Sequence, residues 1–149
     1  MGEGSQGPRE TMIGAAWLLG QAGVRPAASD EDIAITSARL PRPLPGDYEQ
    51  FLRDSNGFEG ELGDSWLHLW VVEQLVEMND QTGSDELPGG VILIGSNGAS
   101  EGYGYVWNGG RYSYVGMPMI CTDVDEVVVL GESFDELIER VRRTPPPWT

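Results

Sequence analysis

The chain has 149 residues and is strongly acidic, with 24 Asp and Glu against nine basic residues and a net charge of −15. All nine basic residues are Arg, which excludes a phosphate-binding loop that ends on Lys and Schiff-base chemistry at Lys. The negative charge opposes nucleic-acid binding and favours a basic partner, although it equally serves solubility alone.

The N-terminal region does not resemble a targeting signal. Residues 1–8 are rich in Gly and polar residues, and we expect them to form a loose tail. The apolar run at residues 12–19 is too short to span a bilayer, and Glu3, Arg9 and Glu10 precede it, which is a poor start for a signal peptide. We therefore expect a cytoplasmic protein without a membrane partner.

Three helices are predicted before residue 58. Residues 11–21 have apolar positions at helical spacing. Ser29 can cap a second helix, and Pro41 ends it because the residue before a proline avoids helical geometry. Pro45 is suited to the first position of a third helix, which Asn56-Gly57 ends with a left-handed residue.

Strands alternate with loops in the middle of the chain. Residues 57–64 combine three Gly with three acids and predict a solvated loop. Residues 66–70 predict a strand, and the apolar spacing over residues 72–79 predicts a helix after it. Residues 91–94 are wholly apolar, which predicts a strand buried on both faces.

The C-terminal half predicts a hairpin, a strand and a helix. Residues 103–107 and 111–115 flank an Asn-Gly-Gly turn, which is a strong hairpin signal. Residues 127–130 predict a further strand, and Ser133 opens a capping box at the start of the last helix. Residues 144–149 contain three consecutive Pro and cannot continue that helix.

These elements predict an α+β fold. We expect one domain over residues 9–143, with a mainly antiparallel sheet of about five or six strands and flanking helices, between tails at residues 1–8 and 144–149.

Several short motifs occur in a characteristic order along the chain. They are Leu44-Pro45, Asp47-Tyr48, Phe51-Leu52, Asn56-Gly57, Leu67-His68-Leu69-Trp70, Asn79, Gly95-Ser96-Asn97-Gly98, Glu101, Tyr103, Phe134 and Leu137. Their order resembles the SUKH superfamily, which includes the fungal cell-wall-assembly regulator and many bacterial toxin-immunity proteins. The resemblance covers residues 12–143. It implies an α+β domain that binds proteins and has no catalytic activity, and its bacterial members neutralise toxins, often nucleases, by binding them.

The residues themselves offer few catalytic arrangements. His68 is the only His, so any Ser-His-Asp or Cys-His arrangement must use it. It lies on one predicted strand face with Trp66 and Trp70, where a structural role is commoner than a catalytic one. Cys121 is the only Cys and is best interpreted as a small buried hydrophobe.

The acidic and Gly-rich segments do not match cofactor or metal motifs. Asp123, Asp125 and Glu126 begin like a calcium loop, but Val127 and Val128 occupy the positions that need an oxygen ligand and Gly. The glycines at positions 95, 98 and 102 do not have the dinucleotide-binding spacing. We therefore expect no metal and no cofactor.

The aromatic strands allow two interpretations. Tyr103, Tyr105 and Trp107 share one strand face, and Tyr112 and Tyr114 share a face of the next strand. A sheet face this aromatic usually packs under a helix, and the alternative is that part of it contacts a partner.

The candidate partner-binding residues are acids in loops and nearby aromatics. They are Glu59, Glu61, Asp64 and Glu101 as acidic contacts, with Trp70 and Tyr103 as anchors. Glu101 alternatively bonds back to the amides of its own turn.

Three functional hypotheses follow. The first is an immunity-type protein that neutralises a basic toxin by direct binding and has no enzymatic activity of its own. The favoured toxin is a nuclease, and the protein is expected to be a monomer or a weak homodimer. The second is a regulatory or scaffold domain that binds an endogenous protein. The third, a hydrolase that uses acids such as Glu101, Asp123 and Asp125, requires those carboxylates to meet in one pocket.

Overall fold

The computed structural model describes residues 14–82, 90–119 and 124–143. The two predicted tails, Cys121 and Asp123 lie outside the described residues.

The described residues form five α-helices, six β-strands and two short 3-10 turns. The helices are α1 (Ala15–Leu18), α2 (Asp30–Arg39), α3 (Gly46–Asp54), α4 (Leu75–Thr82) and α5 (Phe134–Arg143). The strands are β1 (Phe58–Leu62), β2 (Ser65–Leu69), β3 (Ile92–Ser96), β4 (Glu101–Asn108), β5 (Arg111–Pro118) and β6 (Val128–Gly131). The 3-10 turns are Val72–Gln74 and Val124–Glu126.

All six strands belong to one sheet in the order β1-β2-β3-β4-β5-β6, and every neighbouring pair is antiparallel. Each strand therefore pairs with the strand that follows it in the chain, which makes the sheet a meander. The predicted α+β class with an antiparallel sheet is confirmed.

The prediction of a loop over residues 57–64 was wrong. Residues Phe58 and Leu62 begin and end β1, and they are 1% and 0% exposed. Their burial on the inner face outweighs the poor strand propensity of the Gly and acids between them. Gly63 and Asp64 form the two-residue turn into β2, with Leu62 paired to Ser65.

The predicted signals of α2 are confirmed, whereas α1 covers only Ala15–Leu18 and Pro45 precedes α3 instead of starting it. The Ser29 hydroxyl accepts a hydrogen bond from the Asp32 amide and caps α2 as expected. Pro45 is the N-cap of α3, and that helix ends at Asp54. Gly57 has a φ of 92°, but it lies beyond the helix and directs the chain into β1.

The aromatic side of β4 and β5 packs against α3, α5 and the segment that leads into α3, which agrees with the interpretation that this face lies under helices. The Tyr105 hydroxyl donates to the Arg42 carbonyl at 2.9 Å, and the Tyr112 hydroxyl donates to the Pro43 carbonyl at 2.8 Å. The Tyr114 hydroxyl donates to Asp47 at 2.6 Å. These bonds attach the sheet to the segment that leads into α3.

Asn79 connects α4 to the backbone of β3. Its side chain accepts from the Leu93 amide at 2.7 Å and donates to the Leu93 carbonyl at 2.9 Å. The residue is 2% exposed, and it also donates to the Leu75 carbonyl. The Asn79 side chain thus provides hydrogen-bond partners for the backbone of Leu93, which lies beyond the paired part of β2 and β3. The pairing of β2 with β3 covers only His68–Ser96 and Leu69–Gly95.

Candidate binding surface

The β1–β2 hairpin presents one polar side to solvent. In the antiparallel register Glu59 lies opposite His68, and Glu61 lies opposite Trp66. Directly opposed residues project from the same face of a sheet. These four residues form what we call the outer hairpin face. The buried residues Phe58, Leu62, Leu67 and Leu69 point to the other side.

Trp66 is the large apolar side chain at this surface, with 41% of its area exposed. It lies beside Gly98 in the β3–β4 turn. A Cβ added at Gly98 would lie 3.0 Å from Cδ1 of the Trp66 ring, and Gly98 has a φ of 80°. The turn therefore packs against one side of the indole. Gly is favoured at position 98 because of its positive φ and because a Cβ would press on the ring.

The predicted shared face of the two Trp residues was wrong. Trp66 is exposed, whereas Trp70 is 4% exposed and belongs to the core. Strand β2 ends at Leu69, and the Trp70 amide donates to the Ile94 carbonyl as the chain leaves the sheet for a 3-10 turn. Because strand alternation ends there, the indole of Trp70 points inward.

The acids of this surface differ in their pairing. Glu59 forms an ion pair with Arg25 at 2.9 Å, and both side chains are about 40% exposed. Glu61 on β1 and Asp64 in the hairpin turn are exposed. Within the described ranges, neither carboxylate has a hydrogen bond or an ion pair, so both charges face solvent.

A shallow pocket of about 300 Å³ adjoins the outer hairpin face at the edge of β1. Its walls are residues 21–23 on one side and Phe58 to Glu61 on the other. The Glu59 amide donates to the Gly23 carbonyl at 3.1 Å, so the segment before α2 covers the first part of this edge.

The β3–β4 turn is organised by Asn97 rather than by Glu101. The Asn97 side chain accepts hydrogen bonds from the amides of Ala99 and Glu101, at 2.9 and 3.1 Å. The Glu101 carboxylate accepts only a long, 3.5 Å bond from the Ser100 hydroxyl among the described residues. The alternative that the Glu101 side chain bonds back to the turn amides is therefore wrong. Asn97 forms those bonds instead, and Asn side chains commonly bond to the backbone of their own turn.

Tyr103 lies in the core, with no exposed side-chain area. Burial, and secondarily the charge of Glu101, raise the pKa of its phenol well above the ordinary value. Together with the buried Trp70, it is inaccessible to a partner in the folded protein. The candidate surface therefore retains Glu59, Glu61 and Asp64, and gains Trp66. Glu101, which is half-buried at the start of β4, lies outside the β1–β2 hairpin and remains a separate candidate contact.

The placement of the carboxylates bears on the metal-binding and hydrolase alternatives. In residues 14–82, 90–119 and 124–143, no three His, Cys, Asp or Glu side chains are grouped to hold a metal ion. Glu101 begins β4, whereas Asp125 lies in the 3-10 turn before β6, and Asp123 is not among the described residues. The helices described are too short or too polar to cross a membrane.

The chain matches a known protein family. The model of the SMI1 / KNR4 family (SUKH-1) matches residues 27–140, which include the candidate surface and most of the chain. No curated protein matches the chain significantly.

Proposed function

Because the chain belongs to the SMI1 / KNR4 family (SUKH-1), we propose that it is a non-catalytic protein-binding domain that neutralises a bacterial toxin by direct association. The family membership is the observation that carries this proposal, since the bacterial members that the motifs resemble act as immunity proteins. The protein would act in the cytoplasm as a monomer or weak homodimer, in a stoichiometric complex.

The charge of the chain supports a basic partner. A net charge of −15 on 149 residues produces a strongly negative field. Such a field speeds the encounter with a positively charged protein and disfavours acidic competitors. A nuclease fits this description, because its cleft must attract phosphates and is therefore basic.

The mechanism would be occlusion of the toxin's cleft. Glu61 and Asp64 are exposed and unpaired within the described residues, and they can replace the phosphates that a nuclease cleft binds. Trp66 adds a large exposed side chain of the type that dominates interface energies. Charge would set the association rate, and the aromatic contact would slow dissociation.

Co-expression with the toxin from the neighbouring open reading frame tests the proposal. The chain should restore growth and co-purify with the toxin at equal stoichiometry. Loss of protection when the toxin is supplied in molar excess would separate stoichiometric neutralisation from enzymatic inactivation. A neighbouring toxin that is neither bound nor inhibited would contradict the proposal.

The second candidate is a regulatory domain that binds an endogenous protein. It is favoured by the motif resemblance, because the superfamily that the motifs resemble includes the fungal cell-wall-assembly regulator. It predicts that affinity purification from the native cell recovers a housekeeping protein and that the gene has no toxin neighbour.

A further inference from the structure

We propose that the cross-strand pair Glu61–Trp66 is a binding site for an arginine side chain of the partner protein. This inference rests on the proposed function and identifies the chemistry of the surface that performs it. The guanidinium would stack on the exposed indole and form an ion pair with the Glu61 carboxylate.

The geometry of the pair supports a planar cation. Glu61 and Trp66 are direct partners in the β1–β2 register, and directly opposed residues of an antiparallel pair have Cβ atoms about 5 Å apart. A guanidinium can therefore contact the ring face and the carboxylate at once. Arginine suits such a site better than lysine, because its planar group both stacks on aromatic rings and forms paired hydrogen bonds to carboxylates.

The protein's own arginines do not occupy this site among the described residues. Arg25 pairs with Glu59, Arg53 with Asp30 and Arg111 with Glu132. Arg42 lies over the Trp107 ring, with its guanidinium carbon 5.9 Å from the ring centre. The arginine–tryptophan contact within the described part of the chain is thus at Trp107. The exposed Trp66 has the acid Glu61 opposite it, and no described arginine lies over its ring.

The surroundings of Trp66 hold the indole in place. Gly98 approaches the ring so closely that a Cβ there would lie 3.0 Å from it. Gly98 belongs to the turn that Asn97 stabilises through two backbone amides. An aromatic ring that is already positioned loses little conformational freedom when it is covered by a partner.

A second cation of the partner can reach Glu59 or Asp64. Glu59 lies two residues before Glu61 on the same strand face, which corresponds to about 7 Å. An extended partner segment with arginines at alternate positions has the same spacing. Its second guanidinium would compete with Arg25 for Glu59, whose side chain remains 40% exposed.

A peptide titration followed by NMR tests this site without a toxin. The probe is acetyl-Gly-Arg-Gly-Arg-Gly-amide, and the matched control peptide carries citrulline, which is similar in shape but uncharged, at both arginines. The arginine peptide should shift the Trp66 indole N–H and the Glu61 and Gly98 amides in a saturable manner. The citrulline peptide should leave these signals unchanged.

Two conservative variants and one charge control complete the test. Glu61→Gln and Trp66→Phe should each weaken peptide binding at least threefold, whereas Glu31→Gln, which removes one exposed charge from α2, should change it less than twofold. Unchanged backbone spectra of the free variants will show that the fold is retained. The proposed arginine site would be contradicted if Glu61→Gln and Glu31→Gln lost binding equally, or if both peptides shifted the signals equally.

The same variants separate this inference from the proposed function. If the wild-type chain binds the neighbouring toxin and Trp66→Phe and Glu61→Gln bind it equally well, the arginine site is wrong and the immunity role stands. If the peptide titration gives the expected shifts and no toxin is bound, the arginine site stands and the immunity role fails.

Discussion

Asn79 provides a strict test of how the helical layer is attached to the sheet. Asn79→Ala removes the side chain that accepts from the Leu93 amide and donates to the Leu93 and Leu75 carbonyls. Leu93 is 0% exposed, so water cannot replace the lost partners without opening the structure.

The magnitude follows from the two Leu93 groups. A buried backbone donor or acceptor that loses its partner costs about 1–3 kcal/mol. Two such groups give an expected loss of about 2–6 kcal/mol in the free energy of unfolding, which is a large part of the typical total of about 5–15 kcal/mol. Asn79→Asp should also destabilise, because it retains the acceptor but places a charge in the core.

Urea unfolding followed by circular dichroism measures this loss. The matched control is Gln81→Ala on the same helix, because the exposed Gln81 amide bonds only Glu77 among the described residues. The control should change the free energy of unfolding by less than about 0.5 kcal/mol. If Asn79→Ala unfolds at the same urea concentration as the wild type with the same slope, Asn79 does not support β3.

Three further predictions concern glycine geometry, alkaline pH and charge. Gly57→Ala should lower the free energy of unfolding by about 2 kcal/mol or more, because Gly57 has a φ of 92° and a Cβ there would lie 2.5 Å from the Leu69 carbonyl oxygen. The control is Gly46→Ala, where the added Cβ meets open space. This control should be neutral or stabilising in the same urea experiment. Burial first, and then the charge and hydrogen bond of Asp47, raise the pKa of Tyr114, so its contribution to stability is complete below about pH 10, the unfolded value, and is lost as the pH rises towards the higher folded value. Urea midpoints measured across this range should therefore fall, and the fall should be smaller in Tyr114→Phe. Replacing both Glu61 and Asp64 by their amides should slow association with a basic partner and reduce its salt dependence in stopped-flow measurements, and an unchanged salt dependence would exclude their role in steering.

The positions of most elements could be predicted because their signals are local. The Ser29 cap, the aromatic face of α3 and the Gly109-Gly110 turn each depend on a few neighbouring residues, and the glycines of that turn have φ values of 56° and 99° as the hairpin requires. The exception was β1. Its five residues contain Gly60 and two acids, and only the burial of Phe58 and Leu62 against distant elements makes them a strand.

The candidate surface was less predictable because it depends on strand register. The acids Glu59, Glu61 and Asp64 were identified from composition, but their positions on a strand and in a tight turn were not. Trp66 was assigned to the same side as Trp70, and alternation alone gives no indication that β2 ends at Leu69. The opposition of Glu61 and Trp66 depends on the two-residue turn at residues 63–64, which became recognisable only once β1 was known to be a strand.

The functional assignment has a different basis from the fold. Family membership follows from the match over residues 27–140, and the immunity role is a proposal drawn from that membership and from the charge. The surface around Trp66 then gives the proposal a location that single substitutions can test.

The most direct test of the proposed immunity role is calorimetric titration of the purified chain with the toxin encoded beside its gene. We expect a saturable complex with one chain per toxin and loss of toxin activity at the same equivalence point. Trp66→Phe should weaken the complex, whereas Glu31→Gln should not. A toxin that remains fully active in the presence of excess chain, with no heat of binding, would contradict the claim.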